Sequence, residues 1–140
     1  MQHLDPYLFF DGHCAEAMRF YERAFKGKLE MMQTWGDSPG ADNVAPDKRN
    51  RIMHARLNLG GRALLASDSE TDAAFEGIRG FSLSVSFDSV EEAHRVFHEL
   101  SDGGTVQLPI QETFWAKAFG MLVDRFGTPW MINVNAGEAQ

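Results

Sequence analysis

The same order of predicted elements occurs twice along this chain of 140 residues, and this repeat limits the possible folds more than any other feature. Each half is predicted to contain a strand, a helix and three further strands. Such a shared order carries more weight than short identities, which arise by chance. The matching pairs are Phe10 with Phe87, Ala17 with Ala93, Arg19 with Arg95 and Gly27 with Gly103. The sequence predicts one unit at about residues 1–67, a linker at 68–79 and a second unit at about 80–135.

Apolar periodicity separates one helix from four strands in the first half. Apolar side chains recur at helical spacing over residues 13–26. The pair Gly60–Gly61 is typical of a hairpin turn between two strands. Residues 36–47 are polar and rich in glycine and proline, and loops of this length often bind ligands. The predicted strands cover residues 4–10, 28–35, 52–59 and 62–67.

A serine-capped helix and four more strands are predicted for the second half. Residues 81–87 alternate between apolar side chains and serine, which indicates a strand with one buried face. Ser89 and Glu92 form a capping box that begins the helix. Further strands follow at residues 105–110 and in a terminal pair joined at residues 125–128. Trp130 shares a face with Ile132 and Val134 in the last strand, which predicts that it lies on the helix side.

The composition argues against several classes of partner. A net charge of −7 offers little attraction to nucleic acid or to an anionic membrane, and 44% hydrophobic residues are enough for a core. The N-terminus has no signal-peptide pattern, and no apolar run approaches the about 20 residues of a membrane helix. We expect a soluble, cytoplasmic protein that binds neither nucleic acid nor membrane. The single cysteine, Cys14, is expected to pack on the apolar face of the first helix.

The whole chain resembles the vicinal-oxygen-chelate superfamily, which includes glyoxalase I, bleomycin-resistance proteins and extradiol dioxygenases. The resemblance rests on the doubled βαβββ order and on segments that are similar to the PhnB-like branch. The more specific segments are QETFWA at residues 111–116 and DRFGTPWMINV at residues 124–134. The segment PYLFFDG at residues 6–12 and the pair Phe20–Tyr21 add weaker support.

This resemblance implies an α+β fold in which two βαβββ modules form curved mixed sheets around a cup, with the helices outside. It also implies a small-molecule ligand and a homodimer. Alternation along residues 52–59 places Met53, Ala55 and Leu57 under the helix and His54, Arg56 and Asn58 on the opposite face. That opposite face would line the cup. The other candidate ligand-binding residues are Phe10, Ser82, Ser84, Glu112, Trp115, Met131 and Asn133.

Metal-using members of the superfamily carry His or Glu ligands at four strand positions. In this chain those positions fall at about Pro6, at His54, near Gly80 and near Met131, so only His54 can ligate. Because a stable site needs three or four donors, we predict no metal site at these positions, although a divalent metal could recruit Glu112, Asp124 or Asn133.

His54 and Arg56 are the candidate catalytic residues. His54 could be a hydrogen-bonded sheet residue, an acid or base in a pocket, or a lone metal ligand. Arg56 could be solvated at a rim or could bind an anionic group such as a carboxylate or phosphate.

Three functions remain open from the sequence. We favour a protein that binds a small, partly aromatic or anionic molecule. The alternatives are a metal-assisted lyase, isomerase or dioxygenase that uses His54, and a structural dimer. Some relatives carry the name of a ubiquinone-pathway methyltransferase. The sequence argues against that chemistry, because it lacks a glycine-rich nucleotide-binding loop after a strand.

Overall fold

The computed structural model describes residues 3–39, 41–69, 77–78 and 80–136. Its contacts divide the chain into two compact units, Met1–Gly77 and Ile78–Gln140. The elements of the first unit are β1 (Tyr7–Phe10), α1 (Cys14–Phe25), β2 (Lys28–Thr34), β3 (Ile52–Leu59) and β4 (Arg62–Asp68). Those of the second are β5 (Leu83–Phe87), α2 (Val90–Ser101), β6 (Thr105–Gln111), β7 (Ala116–Val123) and β8 (Pro129–Asn135).

Each unit forms a four-stranded mixed sheet, and both sheets have the same topology. The strand order is β1-β4-β3-β2 in the first unit and β5-β8-β7-β6 in the second. The first and last strands of each unit pair in parallel, while the other pairs are antiparallel. The predicted α+β fold with two βαβββ modules is therefore confirmed. The curvature of the sheets and the cup stay predictions.

In the first unit, α1 covers one face of the sheet and packs mainly against β3. Ala55 and Leu57 on this face are fully buried, as the alternation predicts. Residue 27, which comes soon after α1, is a glycine because β3 passes close to it. A Cβ atom at this position would lie 2.6 Å from the backbone oxygen of Asn58. The positive φ that ends α1 belongs instead to Lys26, at 57°. The buried residues of α1 are Cys14, Ala17, Met18, Phe20, Tyr21 and Ala24.

In the second unit, α2 packs against β7 and β8. Trp130, Ile132 and Val134 alternate along β8 and are each at most 2% exposed, which confirms that Trp130 faces the helix side. Gly120 allows the close approach of the helix, since a Cβ atom there would lie 2.6 Å from the Phe97 ring. The serine cap is also confirmed: Ser89 Oγ accepts a hydrogen bond from the Glu92 amide at 3.1 Å.

The predicted linker at residues 68–79 begins too early. Asp68 is the last residue of β4 and is 2% exposed. Its Oδ1 accepts hydrogen bonds from the amides of Gly12 (2.8 Å) and Cys14 (3.0 Å), and its Oδ2 accepts one from the amide of Ile52 (2.9 Å). Acidic residues are usually solvated, but here three backbone donors satisfy the charge. Residues 70–76 and 79 of the predicted linker lie outside the described residues.

The polar segment before β3 contains three short 3₁₀ turns, at Trp35–Asp37, Ala41–Asn43 and Pro46–Lys48. Ser38 and Val44 are buried within it, so this part of the chain packs against its surroundings. Among the described residues, no helix has the length and apolar character needed to cross a membrane.

Asp124 provides a test of how much the buried carboxylates stabilise the fold. It is 3% exposed and accepts hydrogen bonds from the amides of Phe126 and Thr128 and from Trp130 Nε1. Asp124→Asn removes the charge and turns an amide NH₂ toward one of these donors. We expect the free energy of unfolding in urea to fall by about 2–4 kcal/mol.

Asp102→Asn is the matched control, because the side chain of Asp102 is 80% exposed and its contact with Arg125 is a surface ion pair. It should cost less than about 1 kcal/mol. Equal losses in the two variants would contradict the structural role of Asp124.

Candidate functional site

Strand register defines the face of the first sheet opposite α1, here called the open face. Cross-strand partners point to the same side of a sheet. Tyr7 pairs with Leu65, Leu65 with Arg56, and Arg56 with Met31, so these four side chains form one row across the sheet. Phe9 lies two residues from Tyr7 on β1, and His54 and Asn58 lie two residues from Arg56 on β3, so their side chains are on the same face. The predicted grouping of His54, Arg56 and Asn58 on one face therefore agrees with the register.

Tyr7 lies beside His54 on this open face, and Phe9 lies beside Tyr7. The hydroxyl of Tyr7 and Nδ1 of His54 are hydrogen-bonded at 2.9 Å, and their ring centroids lie 5.7 Å apart. The ring of Phe9 lies 5.2 Å from that of Tyr7. Tyr7 is 40% exposed and Phe9 is 55% exposed. Because Nδ1 is engaged by Tyr7, Nε2 is the imidazole nitrogen left for a ligand.

Arg56 contacts a carboxylate of its own chain. Glu30 lies at a bulge of β2, where the register with β3 shifts. Its Oε1 accepts a hydrogen bond from Arg56 Nε at 3.2 Å, and its Oε2 accepts one from Asn58 Nδ2 at 3.1 Å. These bonds, first that from Asn58 and then that from Arg56, hold the pKa of Glu30 below its ordinary value. Arg56 and Asn58, two of the predicted ligand contacts, thus form a three-residue network with Glu30.

Phe10 does not lie on the open face, in contrast to its prediction as a ligand contact. Leu8 pairs with Ala66, and Phe10, two residues further along β1, pairs with Asp68. The side chain of Phe10 is 1% exposed. The parity of β1 therefore places Leu8 and Phe10 on the helix side. The three consecutive apolar residues Leu8, Phe9 and Phe10 give no alternation from which this parity could be read.

In the second unit, the structure groups several predicted contacts on the sheet face opposite α2. Ser84 pairs with Met131, and Asn133 lies two residues further along β8 on the same side. Asn133 Nδ2 donates a hydrogen bond to Asn135 Oδ1 at 2.9 Å. Ser82 precedes β5 and is partly exposed. These positions agree with the predicted alternation.

Trp115 and Glu112 lie in the irregular stretch between β6 and β7. Trp115 is 51% exposed and its ring stands edge-on to Phe114 and to Phe119, with centroids 4.9 and 5.6 Å apart. Glu112 is exposed. Both residues remain candidates as surface contacts of the second unit.

The described residues do not fit the metal site of the superfamily. Within residues 3–39, 41–69, 77–78 and 80–136, no three His, Cys, Asp or Glu side chains are grouped so that they could hold an ion. Both oxygens of Asp124, one of the residues that a metal could have recruited, accept hydrogen bonds from its own turn and from Trp130. A metal role for His54 would require donors from elsewhere.

Sequence reasoning missed Tyr7 and Glu30. A single polar hydroxyl on an otherwise apolar strand was the available signal for Tyr7, since it marks the odd positions of β1 as the face away from the core. Glu30 gave no such signal, because the bulge in β2 breaks the simple alternation of that strand.

Comparison with known proteins places the chain in a family. The sequence model of a family described as 3-demethylubiquinone-9 3-methyltransferase matches residues 2–133. The chain belongs to this family. Protein YjdN of Escherichia coli K12 is 36% identical to this chain over an alignment of 141 positions, which covers 94% of each of the two chains. The predicted resemblance to the PhnB-like branch is confirmed.

Solved structures of relatives agree with the fold. The chain is similar to protein PA1353 of Pseudomonas aeruginosa, with 46% identity, a TM-score of 0.86 and coverage of 96% and 98% of the two chains. It is also similar to a PhnB protein of Bacillus cereus, with 28% identity, a TM-score of 0.80 and coverage of 95% and 99%. A glyoxylase/bleomycin resistance protein/dioxygenase domain from Frankia, 13% identical with a TM-score of 0.65, shares the fold alone. That match covers 99% of this chain and 95% of the Frankia chain.

Cys14 is not part of the site, and its environment predicts an unreactive thiol. It is fully buried, and burial together with the nearby charge of Asp68 raises the pKa of the thiol. We expect no measurable reaction of the native protein with Ellman's reagent at pH 8. In 6 M guanidinium chloride one thiol per chain should react, and rapid reaction of the native protein would contradict the assignment.

The raised pKa also predicts a loss of stability in alkali. Above about pH 8.5 the unfolded thiol ionises while the folded thiol stays protonated, so the unfolded state binds fewer protons. The free energy of unfolding should therefore fall by about 1 kcal/mol more in the parent than in Cys14→Ala between pH 9 and pH 10. An identical decrease in the two proteins would show that Cys14 does not contribute.

Proposed function

We propose that the open face of the first sheet binds a small organic molecule that contains an aromatic or other flat apolar group. The observation that carries this proposal is the Tyr7–His54 hydrogen bond, which holds an exposed aromatic ring beside a hydrogen-bonding imidazole. Ligand sites combine apolar surface with a few oriented polar groups. Tyr7 and Phe9 supply the apolar surface, and His54 and Arg56 supply the polar groups.

Exposure of the two aromatic rings supports a binding role. A ligand that covered Phe9 and Tyr7 would remove apolar surface from water, which is favourable. Such exposed apolar surface commonly marks a binding site. The neighbouring Arg56 and Asn58 both donate hydrogen bonds to Glu30, so two polar donors lie together on the same face as the aromatic rings.

The methyltransferase named in the family description is a less suitable function for this chain. Nucleotide-type cofactors typically bind at the carboxyl ends of parallel strands, next to a glycine-rich turn and a helix N-terminus. Each sheet here is mixed and contains a single parallel pair among its described strands. The geometry favours a binder over a cofactor-dependent methyltransferase.

A glyoxalase-like acid–base activity of His54 is the second candidate. Tyr7 fixes the orientation of the imidazole through Nδ1, as the partner of a general base often does. Turnover of a carbonyl substrate that disappears in His54→Gln, without loss of substrate binding, would favour this candidate over a pure binder.

The binding proposal can be tested with an uncharged aromatic probe, 2-naphthamide. Amide chemical-shift changes in an ¹H–¹⁵N NMR titration should cluster on β1 and β3. Phe9→Ala should raise the Kd about fivefold, because an aromatic contact is worth about 1 kcal/mol.

Phe81→Ala is the matched control, since Phe81 is similarly exposed, at 48%, but belongs to the second unit. Its Kd for 2-naphthamide should equal that of the parent. Shift changes confined to residues outside β1, β3 and β4 would place the binding site elsewhere.

Metal content tests separately whether His54 acts as a metal ligand. Because the described residues offer no group of three ligands, we expect tag-free protein to contain well below one equivalent of transition metal by elemental mass spectrometry. His54→Ala and the exposed-helix control His98→Ala should give the same value as the parent. About one equivalent in the parent and in His98→Ala, lost only in His54→Ala, would establish a metal site at His54.

A further inference from the structure

Glu30 already shows how this surface holds a carboxylate. Its two oxygens are divided between Arg56 Nε at 3.2 Å and Asn58 Nδ2 at 3.1 Å. A guanidinium and an amide NH₂ side by side are suitable donors for any carboxylate, whether it belongs to the chain or to a ligand. A ligand carboxylate that replaced Glu30 would find the same two donors.

The contact between Glu30 and Arg56 can be exchanged at low cost. The side chain of Arg56 is 48% exposed and that of Glu30 is 37% exposed, so water reaches both partners. Surface ion pairs of this kind contribute little to stability, and an external carboxylate would replace one charge-assisted contact with another. The exchange leaves no buried charge without a partner, because Glu30 can turn into solvent.

The row across the open face defines the rest of the ligand. Tyr7, Leu65 and Arg56 follow one another on β1, β4 and β3, and neighbouring strands are about 4.8 Å apart. An aromatic ring, an aliphatic side chain and a cation thus lie in line over about 10 Å. A flat apolar group could cover Leu65 and contact Tyr7 while its charged end reaches Arg56.

We propose that the ligand class of this surface is an aromatic carboxylate, and that the carboxylate of the ligand replaces Glu30 at Arg56 and Asn58. This inference rests on the proposed binding function and adds the chemical class and the mode of recognition. Glu30 then acts as an internal competitor that occupies the cation in the free protein. It excludes weakly binding anions and is displaced by a ligand that also contacts Tyr7.

Paired probes test this proposal. The Kd values of 2-naphthoate and of uncharged 2-naphthamide would be measured by isothermal titration calorimetry for the parent, Glu30→Gln and Arg56→Ala. Glu30→Gln removes the competing charge and should tighten 2-naphthoate binding by about two- to fivefold, without changing the Kd of 2-naphthamide. Arg56→Ala should weaken 2-naphthoate binding about tenfold or more, because it removes a charge-assisted hydrogen bond.

Arg62→Ala is the matched control, because Arg62 is an exposed arginine of the same sheet that pairs with Leu59 rather than with the open-face row. It should leave both Kd values unchanged. Circular dichroism would verify that each variant is folded.

The outcomes separate this inference from the proposed function. Equal binding of the two probes by the parent, or an unchanged or weaker affinity of Glu30→Gln for 2-naphthoate, would overturn the exchange while leaving the binding function in place. Failure of the folded parent to bind either probe would contradict both proposals.

Discussion

The buried carboxylate of Asp68 is the interaction on which the first unit depends. It joins three separate parts of the chain, the loop after β1, the first turn of α1 and the start of β3, to the end of β4. A carboxylate at 2% exposure would be very costly without these donors, so the four segments are fixed relative to one another. That constraint sets the register of β1 on β4 and places Tyr7 within reach of His54.

The carboxylate of Asp68 also affects the Cys14 thiol at the N-terminus of α1. Burial first, and then the charge of Asp68, raises the pKa of the Cys14 thiol, which makes this cysteine a packing residue. The chemically capable groups of the first unit lie on the other side of the sheet, where Tyr7, His54, Arg56 and Glu30 are in contact with solvent or with each other. The helix side holds the buried core of the unit, whereas the open face carries its imidazole and guanidinium groups.

The two units share a topology but carry different side chains on the sheet face opposite the helix. Both have the strand order first-last-third-second and a helix on one face. On the open face of the first unit the side chains include an imidazole and a guanidinium, whereas the corresponding face of the second includes Met131 and Asn133. Family membership explains the shared topology, but a fold supports many functions, so the activity has to be argued from these side chains.

Periodicity and turn residues were sufficient to predict the doubled βαβββ order and the exact span of β3. They also predicted the helix-facing side of Trp130 and the grouping of His54 with Arg56. All four features depend on local spacing along the chain. Only the tertiary structure placed Asp68 in the core, put Phe10 on the helix side and brought Glu30 to Arg56 through a bulge. Each of these depends on partners distant in sequence: backbone donors for Asp68, strand pairing for Phe10 and a register shift for Glu30. Where apolar and polar residues alternate, the local pattern determines which face a strand residue occupies. Contacts between distant segments decide the face of a residue in an unbroken apolar run, and whether a charge is buried or paired.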